Sequence, residues 1–407
     1  MNNYLSFKKK EICCGCGICV AKCPAHCIKM QEDSEGFFYP EVDRNLCINC
    51  NLCAKICPFE KQEKNPKKLI RAFAAHSKDD AILENSSSGG IFSEIAMQFL
   101  NDGGCVCGAT IDKEHQVYHI IIDDVKSISL LQGSKYVQSN MEGVLNKIGK
   151  LLKMKRKVLF CGTPCQVSAI KNAYKSDCLY FIDILCHGVP SQKLFDKYIE
   201  YLEKKHHGNL TGIWFRDKKK NGWSITLKYS ICKKGKNKDY YLVRQLSEYF
   251  SGFLRNMTQR ESCFNCPYTT IERCGDITLA DFWGIEKIHP EYYCTKGTSI
   301  VLVNSDYGMK LLTNCKSNID INPVTIDDVL VQNPQFKGSP KREKERNYVY
   351  NDIFNNGFKE VGKRYILPSN AYKYKIKSLI KSFHGIYILQ LIQKIKKASL
   401  FNGASNG

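Results

Sequence analysis

The chain has 407 residues, 22 cysteines and a formal net charge of +20. This length suggests two or three domains with a sizeable core, whereas disulfide-rich secreted domains are usually much shorter. No run of about 18 apolar residues occurs, so no membrane-spanning helix is expected. Because the first ten residues also lack the apolar segment of a signal peptide, we expect a reducing compartment, the cytoplasm.

The positive charge is unevenly distributed. Residues 1–60 carry seven basic and seven acidic residues, whereas residues 341–407 carry fourteen basic and four acidic residues. No helix-turn-helix, zinc-finger or RNA-binding pattern accompanies this charge, so no nucleic-acid partner is expected. A basic surface instead favours an anionic cofactor, an acidic electron carrier or an anionic membrane face.

Two cysteine runs with the same spacing dominate the first 60 residues. Each reads Cys-x2-Cys-x2-Cys-x3-Cys-Pro, the bacterial ferredoxin pattern, in which the fourth cysteine ligates the other cluster. The spacing predicts one [4Fe–4S] cluster held by Cys13, Cys16, Cys19 and Cys57, and a second held by Cys47, Cys50, Cys53 and Cys23. A structural zinc site would use two Cys-x2-Cys pairs without a third cysteine and is disfavoured. Cys14 and Cys27 are predicted to be spectator thiols.

The remaining elements alternate between strands and helices. In chain order we predict a hairpin at 28–44, a linker at 60–68, a strand at 69–75, a helix at 91–100, a strand at 105–110, a strand at 158–161, a helix at 167–171, a strand at 179–185, a helix at 192–205 and a strand at 212–217. Strand, tight loop and helix form the unit of a parallel α/β sheet, in which ligands bind at the carboxyl ends of the strands. Asn221 and Gly222 favour a hairpin turn after the last of these strands.

Three small loops precede or interrupt these elements. The loop at 85–90 leads directly into a predicted helix, where free N–H groups and the helix dipole would favour a phosphate, although simple N-capping by serine is the structural alternative. The loop at 132–139 carries Lys135, which is either an anion ligand or a solvated turn lysine. The third loop, at 162–164, lies where a predicted strand ends.

A second cysteine-rich stretch predicts a third cluster. Cys263, Cys266 and Cys274 supply three thiols, and Cys266 precedes a proline as in the ferredoxin pattern. Cys186, in a loop after a predicted strand, is the first candidate for the fourth ligand, and Cys165 is the second. The alternative is that the three thiols pack as small apolar side chains.

Five motifs occur in a characteristic order. They are Ser-Ser-Gly-Gly at 87–90, Gly-Ser-Lys-Tyr at 133–136, Gly-Thr-Pro-Cys-Gln at 162–166, Cys-His-Gly-Val-Pro-Ser at 186–191 and Gly-Asp-Ile-Thr-Leu-Ala-Asp-Phe-Trp-Gly at 275–284. Together with the ferredoxin runs they resemble the coenzyme F420 hydrogenase/dehydrogenase beta-subunit family over residues 1–325. The resemblance implies an α+β ferredoxin-like dicluster domain (1–62) fused to an α/β flavoprotein domain with two regions (69–150 and 151–325). A basic helical C-terminal tail (326–407) follows.

The resemblance also implies FAD as a cofactor. Residues expected to contact the flavin or substrate are Ser88, Gly89, Gly90, Lys135, Gly162, Thr163, Pro164 and Gln166. His187 either donates a proton to the product or is a structural histidine. Electrons would enter from a ferredoxin or a reductase subunit and leave as hydride to a small molecule, either of the F420 type or a sugar or other metabolite.

Three questions remain open from the sequence. The protein could be an electron-transfer subunit without a substrate site, or an iron–sulfur scaffold or sensor without flavin. The basic and apolar alternation at 373–397 predicts amphipathic helices, which either make peripheral contact with a membrane or pack on the domain with solvated lysines.

Overall fold

The computed structural model describes Leu5, residues 8–60 and residues 71–382, the last six of these by backbone alone. Its strands are β1 (Ile28–Glu32), β2 (Phe38–Val42), β3 (Arg71–Ser77), β4 (Cys105–Ile111), β5 (Val117–Ile122), β6 (Val158–Gly162), β7 (Leu179–Ile184), β8 (Asn209–Trp214), β9 (Thr226–Lys233), β10 (Lys236–Val243), β11 (Ile277–Asp281), β12 (Ser299–Val303) and β13 (Ile319–Val324). Its α-helices are α1 (Ile18–Ala21), α2 (Leu52–Lys55), α3 (Asp80–Asn85), α4 (Ile91–Asn101), α5 (Glu142–Lys153), α6 (Pro164–Ala173), α7 (Gln192–His206), α8 (Glu248–Leu254), α9 (Ile285–Ile288), α10 (Asp306–Asn314), α11 (Ile326–Leu330), α12 (Val349–Val361) and α13 (Ala371–Ser382).

Eight strands form one mixed sheet in the order β13-β3-β12-β11-β7-β6-β4-β5. The four central strands β11, β7, β6 and β4 are parallel, and the strands outside them pair antiparallel. The central strands are almost continuously apolar because both faces of the sheet are covered. The α/β prediction is confirmed, although the sheet is mixed rather than wholly parallel.

Helices cover both faces of this sheet. On one face α4 and α10 pack against Leu159 and Ile182, and on the other α5 and α6 pack against Phe160. Leu159 and Phe160 belong to different cores because successive side chains of a strand point to opposite faces. Ile18 and Ile56 of the N-terminal domain (the described residues up to 60) join the second core. That domain therefore shares apolar packing with α5 and α6.

The N-terminal domain contains the predicted hairpin, formed by β1 and β2. The hairpin turn packs against α7, where Ser191 Oγ donates to the Glu35 carbonyl at 2.6 Å and Lys193 Nζ donates to the Ser34 carbonyl at 3.2 Å. Gly36 has a φ of +88°, and a Cβ there would collide with the Lys193 side chain. Glycine is therefore required at this turn both by its conformation and by its close contact with α7.

A smaller antiparallel sheet, in the order β10-β9-β8, packs with α7, α8 and α12 around a separate apolar core. The predicted turn at Asn221 and Gly222 lies inside the long connection between β8 and β9. The tight turn of this sheet is instead at Lys234 and Gly235, which both have positive φ and join β9 to β10. Two positive φ values in succession are typical of the hairpin turn whose twist matches that of the strands.

Some predicted boundaries shift for local reasons. The helix expected at 167–171 begins at Pro164, because proline is well suited to the first helical position and Thr163 precedes it as the N-cap. The strand expected at 212–217 begins earlier, at Asn209. The predicted linker at 60–68 and the start of the strand at 69–75 lie almost entirely outside the described residues.

The segment from 326 to 366 packs into the protein. In α12, Val349, Ile353, Phe358 and Val361 are buried in the core of the smaller sheet. This segment was expected to belong to a basic tail, but the apolar spacing of α12 lets it cover the core instead. Of the amphipathic stretch at 373–397, only the part up to residue 382 lies within the described residues, where it continues α13.

We expect Phe358→Ala to lower the free energy of unfolding by about 3–5 kcal/mol, because it leaves a cavity in a closed core. Phe358 contacts Tyr198 and Tyr201, with ring centroids 5.1 and 6.2 Å apart. Tyr372→Ala, at a position that is 60% exposed on α13, is the matched control and should change stability by about 0.5 kcal/mol or less. Anaerobic urea denaturation measures both, and equal effects would show that α12 is not part of the core.

Candidate redox site

The first thiol group of the N-terminal domain contains Cys13, Cys16, Cys19 and Cys57. Burial, followed by the charges of Cys13 and Cys57, raises the pKa of the Cys19 thiol to about 12, which places these three thiols close together. Gly15 and Gly17 have positive φ, so the chain can turn tightly between successive cysteines. The structure thus brings the fourth cysteine of the second run to the first run.

The second thiol group lines one cavity. The cysteines at its wall are Cys23, Cys27, Cys47, Cys50 and Cys53. Asn49 and Asn51 have positive φ and curve the chain around the cavity. The thiol of Cys27 lies 3.5 Å from that of Cys23. Cys27, expected to be a spectator, therefore shares the cavity of the predicted second cluster.

A third group, called here the thiol tetrad, consists of Cys165, Cys186, Cys263 and Cys266. Burial is the largest cause of the raised pKa values of Cys186, Cys263 and Cys266. In every pair among the four, the two thiols are also close enough for one to raise the pKa of the other. Cys165 lies in the first turn of α6, and Cys186 follows β7, so both belong to the carboxyl ends of parallel strands. The Gly188 N–H donates to Cys186 Sγ at 3.3 Å.

Cys274 lies beside the tetrad rather than in it. Its thiol donates to the Pro164 carbonyl at 3.2 Å and lies 3.7 Å from Asp183 Oδ2. The expected set of Cys186, Cys263, Cys266 and Cys274 therefore differs from the set that the structure brings together. Cys165, the second candidate for the fourth position, completes the tetrad.

The donor chemistry of all three groups fits iron–sulfur clusters, because soft thiol ligands are the ones that such clusters use. Nowhere in residues 8–60 or 71–376 do three or more His, Cys, Asp or Glu side chains surround a point suited to a single metal ion. In a [4Fe–4S] cube each thiolate binds a different iron, so its ligands need not converge on one point.

The first thiol group meets the tetrad where the N-terminal domain contacts the α/β body. The Cys14 thiol interacts with both Cys16 and Cys165. Nearby, Tyr268 donates its hydroxyl hydrogen to the Pro58 carbonyl at 2.5 Å. Cys14 is therefore a buried contact between the two thiol groups rather than an isolated side chain.

Two buried arginines fix the orientation of the domain. Arg260 donates to the carbonyls of Cys13 and Phe38 at 2.7 and 2.8 Å. Arg346 makes two hydrogen bonds to the Glu35 carboxylate, at 2.7 and 2.5 Å. Bidentate bonds of this kind restrict both distance and angle, so the thiol groups face each other in a defined geometry.

The predicted cofactor loops meet at the carboxyl edge of the large sheet. β3 runs in the same direction as the central parallel strands, because it and β11 are both antiparallel to β12. The Ser/Gly loop therefore lies at the same edge as the loops after β6, β7 and β11. Ser134, in the loop at 132–139, donates to Ser87 Oγ through its N–H at 2.7 Å and its hydroxyl at 2.8 Å. The predicted cofactor loops therefore meet at the edge where ligands of parallel α/β sheets usually bind.

The Ser/Gly loop is anchored to the start of β12 and opens into α4. Ser88 Oγ donates to the Thr298 carbonyl at 3.0 Å, and the Gly89 N–H donates to Ser299 Oγ at 2.9 Å. Gly90 precedes α4 with a φ of +79°, and no side-chain oxygen caps the helix. The serine N-capping alternative is therefore not what the structure shows at this helix.

Two lysines, Lys135 partly buried and Lys218 buried, hold the same loops through carbonyl oxygens. Lys135 donates to three successive carbonyls at 130–132, and burial lowers its pKa to about 8. Lys218 donates to the carbonyls of Leu83 and Ser88, both at 2.7 Å, and burial likewise lowers its pKa to about 8. Lys135 is thus partly exposed, and its amine is directed to the carbonyls of its own loop.

The loop after β6 is closed by its own side chains. Gln166 Oε1 accepts hydrogen bonds from the Thr163 N–H at 3.0 Å and the Thr163 hydroxyl at 3.1 Å. The Gln166 amide also donates to Ser139 Oγ at 3.0 Å. Gly162 ends β6 and Pro164 begins α6, so these four predicted residues shape one rigid turn beside the tetrad.

Sequence reasoning missed a buried ion pair and a tryptophan pair at this edge. Arg216 makes two hydrogen bonds to Asp281, at 2.7 and 3.0 Å, and also donates to the Ser87 carbonyl at 3.1 Å. Trp223 donates to Asp281 Oδ1 at 2.9 Å and stacks on Trp283 with centroids 4.8 Å apart. The available sequence signal was Asp281 and Trp283 in the fifth motif, since Arg216 falls in the strand predicted at 212–217 and Trp223 directly follows the turn predicted at Asn221 and Gly222.

His187 lies between Gln335 and Phe253. The Gln335 amide lies 3.1 Å from its Nδ1, and its ring meets the edge of Phe253 with centroids 5.1 Å apart. Burial lowers the pKa of the ring, while the Asn256 side chain and the Phe253 carbonyl partly oppose that effect. Among the described residues, its Nε2 has no partner of good hydrogen-bond geometry.

His119 is a further buried histidine that the sequence did not single out. It lies in the apolar strand β5, stacks parallel to Phe160 and places Nε2 3.1 Å from the Cys161 carbonyl. Burial lowers its pKa to about 4. The ring is therefore neutral at neutral pH and packs as part of the core behind the loop after β6.

Because the pKa of His119 is lower in the folded protein than in the unfolded chain, the unfolded chain takes up this proton first. Protonation of His119 therefore does not reduce the free energy of unfolding above about pH 6.5. It lowers that free energy by about 3 kcal/mol as the pH drops towards 4. His119→Gln, which keeps a hydrogen-bond donor, should lack this component in urea denaturation between pH 7 and 4.5. The exposed His207→Gln should retain it, and an unchanged pH dependence in His119→Gln would contradict the assignment.

Three family profiles match the chain. Two describe the beta subunit of coenzyme F420 hydrogenase/dehydrogenase: the profile of its N-terminal part matches residues 72–146, and the profile of its C terminus matches residues 155–329. A 4Fe-4S dicluster domain matches residues 12–61. The two beta-subunit matches together cover more than half of the chain, and they confirm the resemblance drawn from the five motifs.

Individual relatives are more distant. An uncharacterized protein of Methanocaldococcus jannaschii is 26% identical over 217 residues, which cover 44% of this chain and 58% of the relative. NADH-quinone oxidoreductase subunit I of Pelobacter propionicus is 37% identical over 57 residues, which cover 12% of this chain and 31% of the relative. The chain thus spans less than two thirds of the length of these curated relatives.

A chain in the xenon-derivatized F420-reducing [NiFe] hydrogenase complex from Methanosarcina barkeri superposes with a TM-score of 0.44 and 15% identity, covering 74% of this chain and 94% of that chain. The family assignment therefore depends on the profile matches and on the order of the motifs. This chain belongs to the coenzyme F420 hydrogenase/dehydrogenase beta-subunit family and carries a 4Fe–4S dicluster domain at residues 12–61.

Proposed function

We propose that this protein is an iron–sulfur flavoprotein oxidoreductase that passes electrons between a one-electron donor and a hydride-accepting small molecule. Its family and its dicluster domain make it an iron–sulfur electron-transfer protein of the F420 hydrogenase/dehydrogenase type. The proposal adds a third cluster, FAD and an acceptor of the F420 type or a sugar or other metabolite. The observation that carries it is the thiol tetrad, which joins the first thiol group to the carboxyl edge.

Twelve cysteines are proposed as cluster ligands. The first thiol group, Cys13, Cys16, Cys19 and Cys57, would hold one [4Fe–4S] cluster, and Cys23, Cys47, Cys50 and Cys53 would hold the second. The tetrad would hold the third cluster, with Cys165 in place of Cys274. Cys14 and Cys27 remain outside these sets as buried neighbours.

The arrangement supports a fixed order of one-electron steps. Cys50 in the second group is exposed, the first group lies beside the tetrad, and the tetrad lies beside the loop after β6. Electrons from a donor would therefore enter at the second group and leave the clusters at the tetrad. No side chain has to act as a nucleophile in this sequence.

The Ser/Gly loop fits an anionic cofactor. α4 is eleven residues long and follows Gly90 without a side-chain cap, so its first N–H groups can donate to a phosphate oxygen. FAD, when bound, would supply the conversion between single electrons and hydride. Ser88, Gly89 and Gly90 would contact its phosphates.

The other predicted contacts would act by shaping the site. Gly162, Thr163, Pro164 and Gln166 would provide the rigid turn between the tetrad and the flavin. Lys135 would hold its loop through the carbonyls at 130–132 rather than bind the phosphate.

We assign His187 a structural role in preference to proton donation. Its pKa is lowered by burial, so the ring is neutral at neutral pH and carries no readily released proton. The Gln335 contact ties the loop after β7 to the segment after α11. These contacts support a role for His187 in orienting the loop after β7, which carries Cys186.

An electron-transfer subunit without its own substrate site is the second candidate. Leu46 and Ile48 are 57% and 65% exposed beside the second thiol group, which favours a partner chain at that surface. Among residues 8–60 and 71–382, no helix is long and apolar enough to cross a membrane. Peripheral membrane contact through the stretch at 373–397 remains a proposal.

Anaerobic purification with iron, sulfide and flavin measured per chain tests the proposal. We expect about twelve irons and one FAD for the natural chain, about eight irons for Cys165→Ala and about twelve for Cys274→Ala, because only Cys165 is a proposed ligand. About eight irons and no flavin in the natural chain would overturn the reductase proposal. A larger iron loss in Cys274→Ala than in Cys165→Ala would restore the ligand set expected from the sequence.

We expect Leu46→Glu to raise the KM for an acidic ferredoxin-type donor about tenfold, which corresponds to about 1.4 kcal/mol of binding. Arg44 and Lys55 are exposed and no acidic residue occurs between positions 44 and 55, so the surface around the second thiol group suits an acidic partner. The kcat with a small viologen dye as donor should not change.

Val331→Glu is the control, because Val331 is 58% exposed but lies far along the chain after α11. Val331→Glu should change neither the KM for the acidic donor nor the kcat with the viologen dye. An equal rise in KM for the two variants would show that the donor binds elsewhere.

A further inference from the structure

The described residues contain four buried arginines, namely Arg216, Arg260, Arg273 and Arg346. Arg216 is paired with Asp281, Arg273 with Asp183, and Arg346 with Glu35 and Glu261. Arg260 differs from the other three. It is only 1% exposed, yet within the described part of the chain no carboxylate pairs with it.

The contacts of Arg260 are neutral groups and sulfur. Its guanidinium donates to the Cys13 and Phe38 carbonyls and to Gln138 Oε1, at 2.7, 2.8 and 3.2 Å. It lies 4.0 Å from Cys13 Sγ and 4.1 Å from the centre of the Tyr39 ring. All of these neighbours solvate a cation, but none carries a full negative charge unless the thiol ionises.

Two thiol groups lie within electrostatic reach of this cation. Its ionisable neighbours are Tyr39, followed by Cys13 and Cys14 of the N-terminal domain and Cys263 of the tetrad. Gly15 leaves room for the approach, since a Cβ there would lie 2.8 Å from an Arg260 nitrogen. The guanidinium therefore stands between the first thiol group and the tetrad.

Burial of an unpaired charge is unfavourable by several kcal/mol, and proteins usually avoid it by pairing the charge. A cluster bound by four thiolates has a net negative charge, which becomes more negative when the cluster gains an electron. A nearby cation therefore favours the reduced form and raises the reduction potential. The missing counter-charge of Arg260 is the charge that such a cluster would supply.

We infer that Arg260 is an electrostatic positioning residue that raises the reduction potential of the cluster at Cys13 and holds that cluster against the tetrad. This inference rests on the proposed clusters and adds to them a residue that sets the energy of an electron on this path. Arg346, which docks the same domain but is neutralised by carboxylates, should not have this effect.

Potentiometric titration of purified protein, followed by electron paramagnetic resonance, tests the inference. At a potential where the first cluster of the natural chain is half reduced, Arg260→Gln should have a reduced-to-oxidised ratio about tenfold lower, a shift of about 59 mV for one electron. Arg260→Lys, which keeps the charge, should stay within about twofold of the natural chain. Arg346→Gln should titrate like the natural chain even if its thermal stability falls.

The outcomes separate this inference from the proposed function. If the natural chain and both Arg260 variants hold clusters and titrate alike, the inference is overturned and the cluster assignment stands. An equal shift in Arg346→Gln would also overturn it, since loosened docking would then explain the change. Loss of iron in Arg260→Gln with retention in Arg260→Lys would support the need for a cation, whereas absence of clusters from the natural chain would overturn both proposals.

Discussion

The guanidinium groups of Arg260 and Arg346 hold the N-terminal domain in one orientation against the α/β body. The shared apolar packing of Ile18 and Ile56 adds contact area but little directional restraint, because the hydrophobic effect is non-directional. Hydrogen bonds to planar guanidinium groups supply that restraint. Electron transfer over short distances depends on such fixed geometry, so the position of every thiol group on the proposed path follows from this interface.

The loops at the carboxyl edge of the large sheet are likewise held by hydrogen bonds from cationic side chains. Loops from distant parts of the chain are joined by buried donors, with Lys218 on the Ser88 carbonyl and Arg216 on Asp281, while Lys135 holds its own loop through carbonyl oxygens. These donors fix the backbone of the loops before any ligand arrives. The stacked Trp223 and Trp283 rings lie at the same edge and would form a rigid, preorganised wall of the proposed cofactor site.

The sequence predicted best what depends on local spacing. Short turns within each ferredoxin run bring three neighbouring cysteines together whatever the rest of the fold does, and the fourth cysteine of each thiol group comes from the other run, as the ferredoxin pattern predicts. The choice between Cys165 and Cys274 depends on where α6 begins and on the partner of Asp183, which are tertiary facts. Arg216 and Arg260 were invisible for the same reason, since nothing in their neighbouring residues marks a buried cation. The burial of α12 was hidden by the basic composition that surrounds it.

The hairpin turn of the N-terminal domain cannot change its length as freely as most surface turns can. In an isolated small domain such a turn can accept extra residues, because its tip extends into solvent. Here Gly36 lies against Lys193, and the Ser34 and Glu35 carbonyls are bonded to the start of α7. A single inserted residue would push the whole domain away from the body. The permitted length of this turn is therefore set by a helix that lies far along the chain, and grafting a different ferredoxin domain onto this body would require a turn of the same length.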